Sequence, residues 1–335
     1  MTTDAPVRTL RSRLEISPVV AAAFAHGDPI VALESTLISH GLPYPANLEV
    51  ALESEAAVRE SGAVPATIVI RDGLILIGLS EADLRALATA PAGSVLKAAR
   101  PSLAAALDRE GWAATTVSAT MIAAHAAGIS IFATGGIGGV HRGALGAVGA
   151  AVLPGSVGSP GSLARPTLDI SSDLEELART TVAVVCAGPK AILDVAPTLE
   201  YLETRGVPVV TIGQDDLPGF YARSAGIRSP SSVPDVITAG RRVATHLSLG
   251  LGSGILVCVP LPEADALTDD LAREATDRAI ADADSAGIHG PELTPWLLAR
   301  IAELTDGASV RANTALIVNN ARVAGQLATL LSESG

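Results

Sequence analysis

The chain has 335 residues with a formal net charge of −12 at pH 7, and 48% of its residues are hydrophobic while only 2% are aromatic. This charge excludes a nucleic-acid-binding protein, which needs a basic surface against the phosphate backbone. No apolar run reaches the roughly 18 residues of a membrane span, and the N-terminal segment lacks the pattern of a secretory signal. We therefore expect a soluble, cytoplasmic protein that has neither nucleic acid nor membrane as a partner.

Short runs rich in Val and Ile alternate with helical patterns along the chain. The runs predicted to be buried strands are Ile30–Leu33, Thr67–Gly78, Ser130–Ala133, Val182–Cys186, Val207–Ile212 and Gly254–Val259. The predicted helices are Asn47–Ser61, Ser80–Ala88, Thr116–Ala127, Pro189–Arg205, Leu261–Ala286, Leu293–Leu304 and Asn313–Leu331. The pair Asp72–Gly73 predicts a hairpin turn. The pattern as a whole predicts a single large α/β domain in three α/β/α layers, with a central mixed, mostly parallel sheet.

Two segments depart from this alternation. We expect residues 1–17 to be flexible, and residues 144–167, which are dense in Gly, Ala, Ser and Pro, to form a mobile loop or lid. The two cysteines, Cys186 and Cys258, lie in apolar runs and are expected to be buried free thiols.

Lys190 follows the predicted strand Val182–Cys186, directly after Gly188 and Pro189, so that the pattern places it in the first turn of a helix. A charged lysine is electrostatically unfavourable there, whereas an uncharged lysine can attack a carbonyl carbon. Burial and a second cation, for which Lys97 is the candidate, favour the uncharged amine. An ordinary surface lysine at a helix start is the alternative.

Four glycines stand within five residues in the segment between Thr134 and His141. Their N–H groups can approach a phosphate closely, and His141 and Arg142 can pair with its oxygens. A dinucleotide-binding fingerprint fails, because His141 stands where the third glycine is required. A glycine-rich turn with a solvated His–Arg pair is the alternative.

Asp169 stands just before a predicted helix start. Ser172 and Glu175 have the spacing of a capping box, so that the helix is expected to begin near Asp173. Capping accounts for Ser172 but not for Asp169. Carboxylates without His or Cys nearby favour a hard ion such as Mg²⁺ or Mn²⁺ over zinc.

Glu34 ends the predicted strand Ile30–Leu33, and the carboxyl ends of strands are where α/β proteins place ligands. An acid at a buried position is seldom structural unless it is paired. Glu34 is therefore a candidate general acid. His40 and Tyr44, in the turn that follows, are weaker candidates.

An ordered series of motifs covers roughly residues 30–327. The motifs are ALESTLISHGLPYP (Ala32–Pro45), TVSATMIAAHAAGI (Thr116–Ile129), ATGGIGGVHRGA (Ala133–Ala144), LDISSDLEEL (Leu168–Leu177), TVAVVCAGPKAILD (Thr181–Asp194), TLEYLETRGVPVV (Thr198–Val210) and NTALIVNNAR (Asn313–Arg322). In this order they resemble the pseudouridine-5'-phosphate glycosidase family, also called the indigoidine synthase A-like family. The resemblance implies an enzyme that reversibly cleaves the C–C glycosidic bond of pseudouridine 5'-phosphate to uracil and ribose 5-phosphate.

The resemblance also implies roles for individual residues. Lys190 is expected to be the nucleophile that forms an imine with C1 of the ring-opened ribose, and Glu34 the proton donor. Asp169 is expected to bind one Mn²⁺ (or Mg²⁺) ion per subunit. The implied substrate-binding positions are Lys97, Val117, Thr134, His141, Arg142, Ser171, Ser172, Asp173 and Asn313. The implied partners are a small phosphosugar nucleotide and further copies of the chain, as a homotrimer.

The chain departs from the family pattern in two places. Residues 144–167 are a long insertion, and the segment that resembles ANPIP in the family is CVPLP here, with Val259 in place of Asn. Neither change removes the lysine, the acid or the metal residue. Three alternatives stay open: a Schiff-base lyase or aldolase on another phosphosugar or C-nucleotide, a glycosidase with altered base specificity, and a non-catalytic module that binds a sugar phosphate.

Overall fold

The computed structural model of the chain describes residues 9–146, 166–288 and 293–333. Residues 147–165 of the predicted lid and residues 1–8 of the N-terminal segment lie outside these ranges. Residues 14–16, which belong to the segment that was expected to be flexible, form a strand paired in parallel with residues 75–77.

The elements follow the chain in an alternating order. The strands are β1 (Leu14–Ile16), β2 (Ile30–Leu33), β3 (Val64–Arg71), β4 (Leu74–Ile77), β5 (Leu96–Ala98), β6 (Trp112–Thr115), β7 (Ile131–Ala133), β8 (Val140–His141), β9 (Ala183–Cys186), β10 (Leu193–Asp194), β11 (Val209–Ile212), β12 (Ser232–Val233) and β13 (Ile255–Cys258). The α-helices are α1 (Pro18–His26), α2 (Ala46–Glu60), α3 (Glu81–Ala88), α4 (Leu103–Leu107), α5 (Val117–Ala127), α6 (Ser172–Leu177), α7 (Val195–Thr204), α8 (Val236–Ser248), α9 (Asp269–Ala286), α10 (Leu293–Leu304) and α11 (Ala308–Ser332).

The main sheet runs in the order β1-β4-β3-β2-β7-β9-β13-β11-β12, and β6 pairs with β3 and β5. Within it β3 is antiparallel to β4 and to β6, and the other pairs are parallel. Asp72 and Gly73 both have positive φ, 52° and 76°, as the predicted tight hairpin requires. The mixed, mostly parallel sheet is confirmed.

Side chains of β9 alternate between two cores, one on each face of the sheet. Val184 and Cys186 belong to a cluster with residues of α5, α6 and α7, whereas Ala183 and Val185 belong to a cluster with residues of α2, α8 and α11. Successive residues of a strand point to opposite faces, so this split places helices on both sides. The predicted three-layer α/β/α domain is confirmed. Both cysteines are buried free thiols, as predicted.

The C-terminal helices form a further cluster, in which α9, α10 and α11 pack with Phe220 and Tyr221. The predicted helix at 261–286 begins later, at Asp269 after its N-cap Thr268, and the one predicted from Asn313 begins earlier, at Ala308. Of the helices in the described ranges, none is long and apolar enough to cross a membrane.

The helix predicted at Pro189–Arg205 begins only at Val195, so the placement of Lys190 in a first helical turn is wrong. The reason lies in tertiary contacts. The N–H of Lys190 donates to the carbonyl oxygen of Ile137 at 3.1 Å, and Leu193–Asp194 pairs with β8. These bonds hold residues 189–194 as a loop, so Lys190 does not belong to a helix of its own.

Candidate active site

The candidate acid and lysine meet at the carboxyl edge of the sheet. Glu34 follows β2, Thr134 follows β7 and Lys190 lies in the loop after β9, and these three strands are neighbours. The carboxyl ends of parallel strands are where open α/β sheets bind ligands. Both side chains line one cleft, in which the Lys97 side chain of β5 also lies.

Two adjoining cavities form this cleft, and Glu34, Lys97 and Lys190 line both. The polar lobe measures about 180 Å³ and is further lined by Thr36, Ala99, Thr116, Gly138, His141, Ser171, Ser172, Asp173, Ile192, Leu193 and Thr294. The apolar lobe measures about 110 Å³ and is further lined by Thr36, Leu37, His40, Gly41, Gly135, Gly136, Phe220, Thr294, Pro295, Leu298, Asn313 and Ile317. Two further grooves measure about 420 and 620 Å³, and the larger one shares His141 with the polar lobe, but no lysine lines either of them.

Lysine is rare in this chain. Of the 23 lysine and arginine residues, only Lys97 and Lys190 are lysines. Both line the cleft, where each also affects the electrostatics of Glu34. An amine can become a neutral nucleophile, whereas a guanidinium stays charged. Both lysine side chains of the protein therefore lie in the cleft that contains the buried carboxyl group of Glu34.

Glu34 is 7% exposed, and its carboxylate accepts a hydrogen bond from the hydroxyl of Thr134. Burial raises the pKa of Glu34, because a carboxylate loses its hydration there. The positive charge of Lys190 and the Thr134 hydrogen bond act in the opposite direction. The balance leaves Glu34 protonated at higher pH than an exposed glutamate, as a general acid requires.

Lys97 provides the second positive charge of the cleft. Much of its side chain is accessible, yet partial burial of the amine is the main cause that lowers its pKa, and the charge of Lys190 lowers it further. Glu34 and Asp173 act against this shift. The predicted proximity of the two lysines is therefore present in the structure.

Two loops hold each other at the base of the cleft. The N–H of Thr134 donates to the carbonyl of Val185, the N–H of Ala187 to that of Gly135, and the N–H of Ile137 to that of Gly188. These bonds continue the pairing of β7 and β9 past the ends of both strands. The acid's partner Thr134 and the lysine loop are thus parts of one bonded unit.

The glycine-rich segment packs closely against neighbouring parts of the protein. A Cβ on Gly138 would lie 2.2 Å from Oγ of Ser171, and one on Gly136 would lie 2.7 Å from the ring of Phe220. The N–H groups of Ile137, Gly138, Val140 and His141 all donate to protein acceptors. Close packing therefore requires glycine at positions 136 and 138.

Asp173 joins three parts of the polar lobe. Its Oδ1 accepts from the N–H of Ser118 at 3.0 Å and its Oδ2 from the N–H of Gly138 at 2.9 Å. The N-cap of α6 is Ser171, whose Oγ accepts from the N–H of Asp173, so the cap predicted at Ser172 lies one residue earlier. Ser172 lines the lobe beside Ser171, and its hydroxyl is hydrogen-bonded to that of Ser118 at 3.2 Å.

Asp169 and His141 lie at the edge of the polar lobe. Asp169 does not line the lobe; its side chain is 58% exposed, and its Oδ2 lies 3.9 Å from Nδ1 of His141, which does. In the described part of the chain, no three or more His, Cys, Asp and Glu side chains form a metal-binding group. Mg²⁺ and Mn²⁺ accept carboxylate and water ligands, and Mg²⁺ usually keeps several waters. Asp169 therefore fits a water-rich ion, not one held by protein ligands alone.

Three of the expected substrate-binding residues do not line the cleft. Thr134 is 2% exposed, and its hydroxyl donates to Glu34. Arg142 turns away and pairs with Asp277 of α9 at 2.5 Å. Val117 is 1% exposed and packs in the core, so that only its backbone is near the lobe, next to Thr116. Asn313 lines the apolar lobe.

Several residues that line the cleft were missed in the sequence. Thr36 and Thr116 belong to quoted motifs but were not assigned to the site, and Thr294 belongs to none of the motifs; all three line the cleft. Phe220 has a φ of 66°, a conformation that is strained for a bulky residue. Such strained residues concentrate at functional sites, but no local signal in the sequence predicts them. His40, a weaker candidate, also lines the apolar lobe.

The fold and this lysine–acid cleft define a family of α/β enzymes. The chain belongs to the indigoidine synthase A-like family, whose model matches residues 19–330. It is 49% identical over 318 residues to a protein of Solibacter usitatus named pseudouridine-5'-phosphate glycosidase, covering 95% of this chain and 99% of that protein. A protein of Caldanaerobacter subterraneus with the same name is 48% identical, covering 96% and 97%.

Two solved structures share the fold. The prealnumycin C-glycosynthase AlnA, in complex with ribulose 5-phosphate, has a TM-score of 0.82 and 36% identity, covering 96% of this chain and 97% of AlnA. An indigoidine synthase A-like protein from Thermotoga maritima has a TM-score of 0.79 and 29% identity, covering 95% and 96%.

Proposed function

We propose that this enzyme cleaves the C–C glycosidic bond of pseudouridine 5'-phosphate to give uracil and ribose 5-phosphate, in a reversible reaction. The observation that carries the proposal is that both lysines of the chain line one cleft with a buried glutamate of raised pKa. Relatives of nearly the full length that are named pseudouridine-5'-phosphate glycosidase support the choice of substrate.

The bond to be broken explains why the cleft needs an amine. Ordinary glycosidases protonate a leaving oxygen with one of two carboxyl groups, and a C–C glycosidic bond has no such oxygen. A lysine that bonds to the sugar carbon provides a different route, because the nitrogen lone pair can expel the carbon substituent as an imine forms.

The steps follow from the groups in the cleft. Glu34 gives its proton to the ring oxygen of the ribose as the C1′–O4′ bond breaks, and Nζ of Lys190 bonds to C1′ and loses a proton. The C1′–C5 bond then breaks: its electron pair goes to the uracil, whose C5 takes up a proton, while the nitrogen lone pair forms the imine. Water adds to the imine and releases ribose 5-phosphate and the free amine.

The two lobes suit the two halves of the substrate. The polar lobe provides Lys97, His141 and the hydroxyls of Ser171 and Ser172 for an anionic sugar phosphate. The apolar lobe, with Phe220, suits the flat base. Lys190 and Glu34 line both lobes, as the groups that act on the bond between sugar and base must.

Asp169 would hold a single Mn²⁺ or Mg²⁺ ion, with water as its other ligands. When bound, such an ion adds positive charge beside a phosphorylated substrate. The protein's own contribution at this edge is to hold Asp169: its carbonyl accepts from the N–H of His141 at 3.0 Å.

We also propose that the enzyme is a homotrimer and that it is located in the cytoplasm. The family resemblance supports a homotrimer. The two cysteines are free and buried, which suits a reducing compartment such as the cytoplasm.

A second candidate is formation of a C–C bond between ribose 5-phosphate and an aromatic acceptor other than uracil. The structural relative named C-glycosynthase, which binds ribulose 5-phosphate, favours it. The same lysine and acid would serve both reactions. Activity assays with pseudouridine 5'-phosphate and with other C-nucleotides distinguish the two candidate reactions.

The test is borohydride trapping of the enzyme with ribose 5-phosphate, together with uracil release from pseudouridine 5'-phosphate. Because the chain has two lysines, peptide mapping assigns the adduct without ambiguity. We expect the adduct on Lys190 in the wild type and in Lys97→Arg, and neither adduct nor uracil release in Lys190→Arg. An adduct on Lys97 alone, or unchanged turnover in Lys190→Arg, would contradict the proposal.

A further inference from the structure

A buried asparagine of α11 contacts the backbone at the base of the cleft. Asn320 is 1% exposed, and its Nδ2 donates to the carbonyl oxygens of Thr134 at 2.9 Å and of Gly135 at 3.3 Å. Among the described residues its Oδ1 has no hydrogen-bond partner. An unsatisfied buried polar atom costs about 1–3 kcal/mol. A leucine of similar size would avoid this cost, so the two N–H bonds give this position its value.

The two carbonyls belong to the bonded unit that connects the acid with the lysine loop. The hydroxyl of Thr134 donates to Glu34, and the carbonyl of Gly135 also accepts from the N–H of Ala187, three residues before Lys190. We propose that Asn320 is a positioning residue that fixes the Thr134–Gly135 backbone and thereby keeps the Thr134 hydroxyl on Glu34. The inference rests on the proposed function, because it concerns how the acid of that reaction is held.

The packing of α11 explains why an amide can do this. A Cβ on Gly135 would lie 3.1 Å from Cγ1 of Ile317 and 3.3 Å from Cδ1 of Leu316, so the helix lies directly against this backbone. Gly135 and Gly136 follow Thr134, and glycine has the largest backbone freedom of any residue. Without the amide, one side of this segment rests on apolar contacts alone, which do not fix the direction of a carbonyl group.

Loss of the two hydrogen bonds from Asn320 should change the pKa of Glu34 in a definite direction. The Thr134 hydrogen bond lowers the pKa of Glu34, against the larger effect of burial. If the hydroxyl is no longer held in place, the pKa of Glu34 rises further. The acid then stays protonated to higher pH, and the alkaline limb of kcat moves to higher pH as well.

The test compares Asn320→Leu with a matched variant, Asn319→Leu. Asn319 is the preceding residue, and its Nδ2 contacts the carbonyl of Pro260 at 3.5 Å in a groove outside the cleft. For uracil release from pseudouridine 5'-phosphate, N320L is expected to lower kcat about 10–100-fold, since a small misplacement of a catalytic group has effects of this size. KM should change by less than about threefold, because substrate contacts are kept. N319L should leave kcat and its alkaline limb unchanged.

Thr134→Val removes the same hydrogen bond without touching α11. It should move the alkaline limb in the same direction as N320L, and the double variant should be no worse than T134V, because both changes act through one link. Asn320→Ser, which is smaller and does not reach the carbonyls, should behave as N320L does and guards against a folding defect. If Asn320 had a purely structural role, its replacement would reduce the fraction of active enzyme and leave the alkaline limb of the pH dependence of kcat unchanged.

Additive losses in the double variant, or an unmoved limb in N320L, would overturn the inference while the proposed function stands. Absence of uracil release by the wild-type enzyme would overturn both.

Discussion

The hydroxyl of Thr134 donates a hydrogen bond to the carboxylate of Glu34, although 100 residues of chain separate the two. Leu33 of β2 and Ala133 of β7 are register partners in adjacent parallel strands, so that the residues that follow them lie side by side. The bond opposes the effect of burial on the pKa of Glu34. The acid therefore stays ionisable in a site that disfavours its charge.

Replacement of Glu34 by glutamine should reduce catalysis far more than substrate binding. Glutamine keeps the shape of the side chain but cannot give a proton to the ribose ring oxygen. We expect kcat for uracil release to fall about 10²–10⁴-fold, the usual contribution of general acid catalysis. KM should change little, since the amide can still accept the Thr134 hydrogen bond.

Glu55→Gln is the matched control. Glu55 is also buried, at 4% exposure, but it lies on α2, where it accepts from Thr67 and pairs with Arg59. Its replacement should lower the free energy of unfolding and leave kcat per folded molecule unchanged. Equal losses of kcat in both variants would show that any buried glutamate matters, and would remove Glu34 from the mechanism.

The Glu34→Gln variant should be more stable than the wild type at neutral pH. Burial raises the pKa of Glu34 above its ordinary value of 4.5, so the folded state binds this proton more tightly than the unfolded state does. The stability that Glu34 contributes is present below pH 4.5 and is lost as the pH rises toward the raised pKa. Glutamine does not ionise, and at pH 7 E34Q should gain on the order of 1 kcal/mol.

Urea unfolding of both proteins at several pH values measures this difference. The gain of E34Q should shrink as the pH falls and should vanish below pH 4.5, where Glu34 is protonated in both states. A gain that does not depend on pH, or a loss at pH 7, would mean that the charge of Glu34 is not what costs stability.

Features set by local chemistry were predictable from the sequence. The runs of Val and Ile predicted β2, β3, β4, β7, β9, β11 and β13, whereas the other strands, of two to four residues each, were missed. Asp72–Gly73 predicted the hairpin, because only residues that tolerate positive φ fit that turn. The helix predicted at Ser80–Ala88 is α3, whose N-cap Ser80 forms a capping box with Asp83, three residues further on. These features depend on a few neighbouring residues, so the sequence contains all that determines them.

Features set by tertiary contacts were not predictable. Lys190 lies in a loop because its N–H bonds to Ile137, although Pro189 has the local signature of a helix start. Arg142 leaves the cleft because Asp277, 135 residues away, attracts it. The sequence marked Glu34, Lys97 and Lys190 as candidates, and the resemblance to a family implied their roles. Asn320 belongs to a quoted motif, but nothing in the sequence indicates its contact with the Thr134 backbone.

Lys97→Gln should weaken the binding of the anionic substrate. Lys97 is one of the few cations that line the polar lobe, and a charged group at contact distance from a phosphate contributes about 1.5–3 kcal/mol. We expect KM for pseudouridine 5'-phosphate to rise at least about tenfold. Lys97→Arg keeps the charge and should recover most of the loss, unless the amine itself has a chemical role. Equal KM values for K97Q and the wild type would exclude a contact with the phosphosugar.

His141 and Arg142 should differ in effect, although the sequence suggested the same role for both. His141 lines the polar lobe, whereas Arg142 is paired with Asp277 outside it. We expect His141→Gln to raise KM by about 10-fold, the size of one lost hydrogen bond to a charged group. Arg142→Gln should leave KM unchanged, since exposed ion pairs contribute little. A larger rise in KM for R142Q than for H141Q would show that Arg142 turns into the cleft when substrate binds.

Asp169→Asn should abolish the response of the protein to a divalent cation. An ion that binds only the folded state raises the melting temperature in proportion to the logarithm of its concentration. We expect Mn²⁺ to raise Tm in the wild type and to have no effect in D169N. Asp277→Asn is the control, because Asp277 is a similarly exposed carboxylate, at 53%, and is already paired with Arg142. It should keep the full response to Mn²⁺. A response that survives in D169N, or that D277N abolishes, would place the ion elsewhere and remove Asp169 as its ligand.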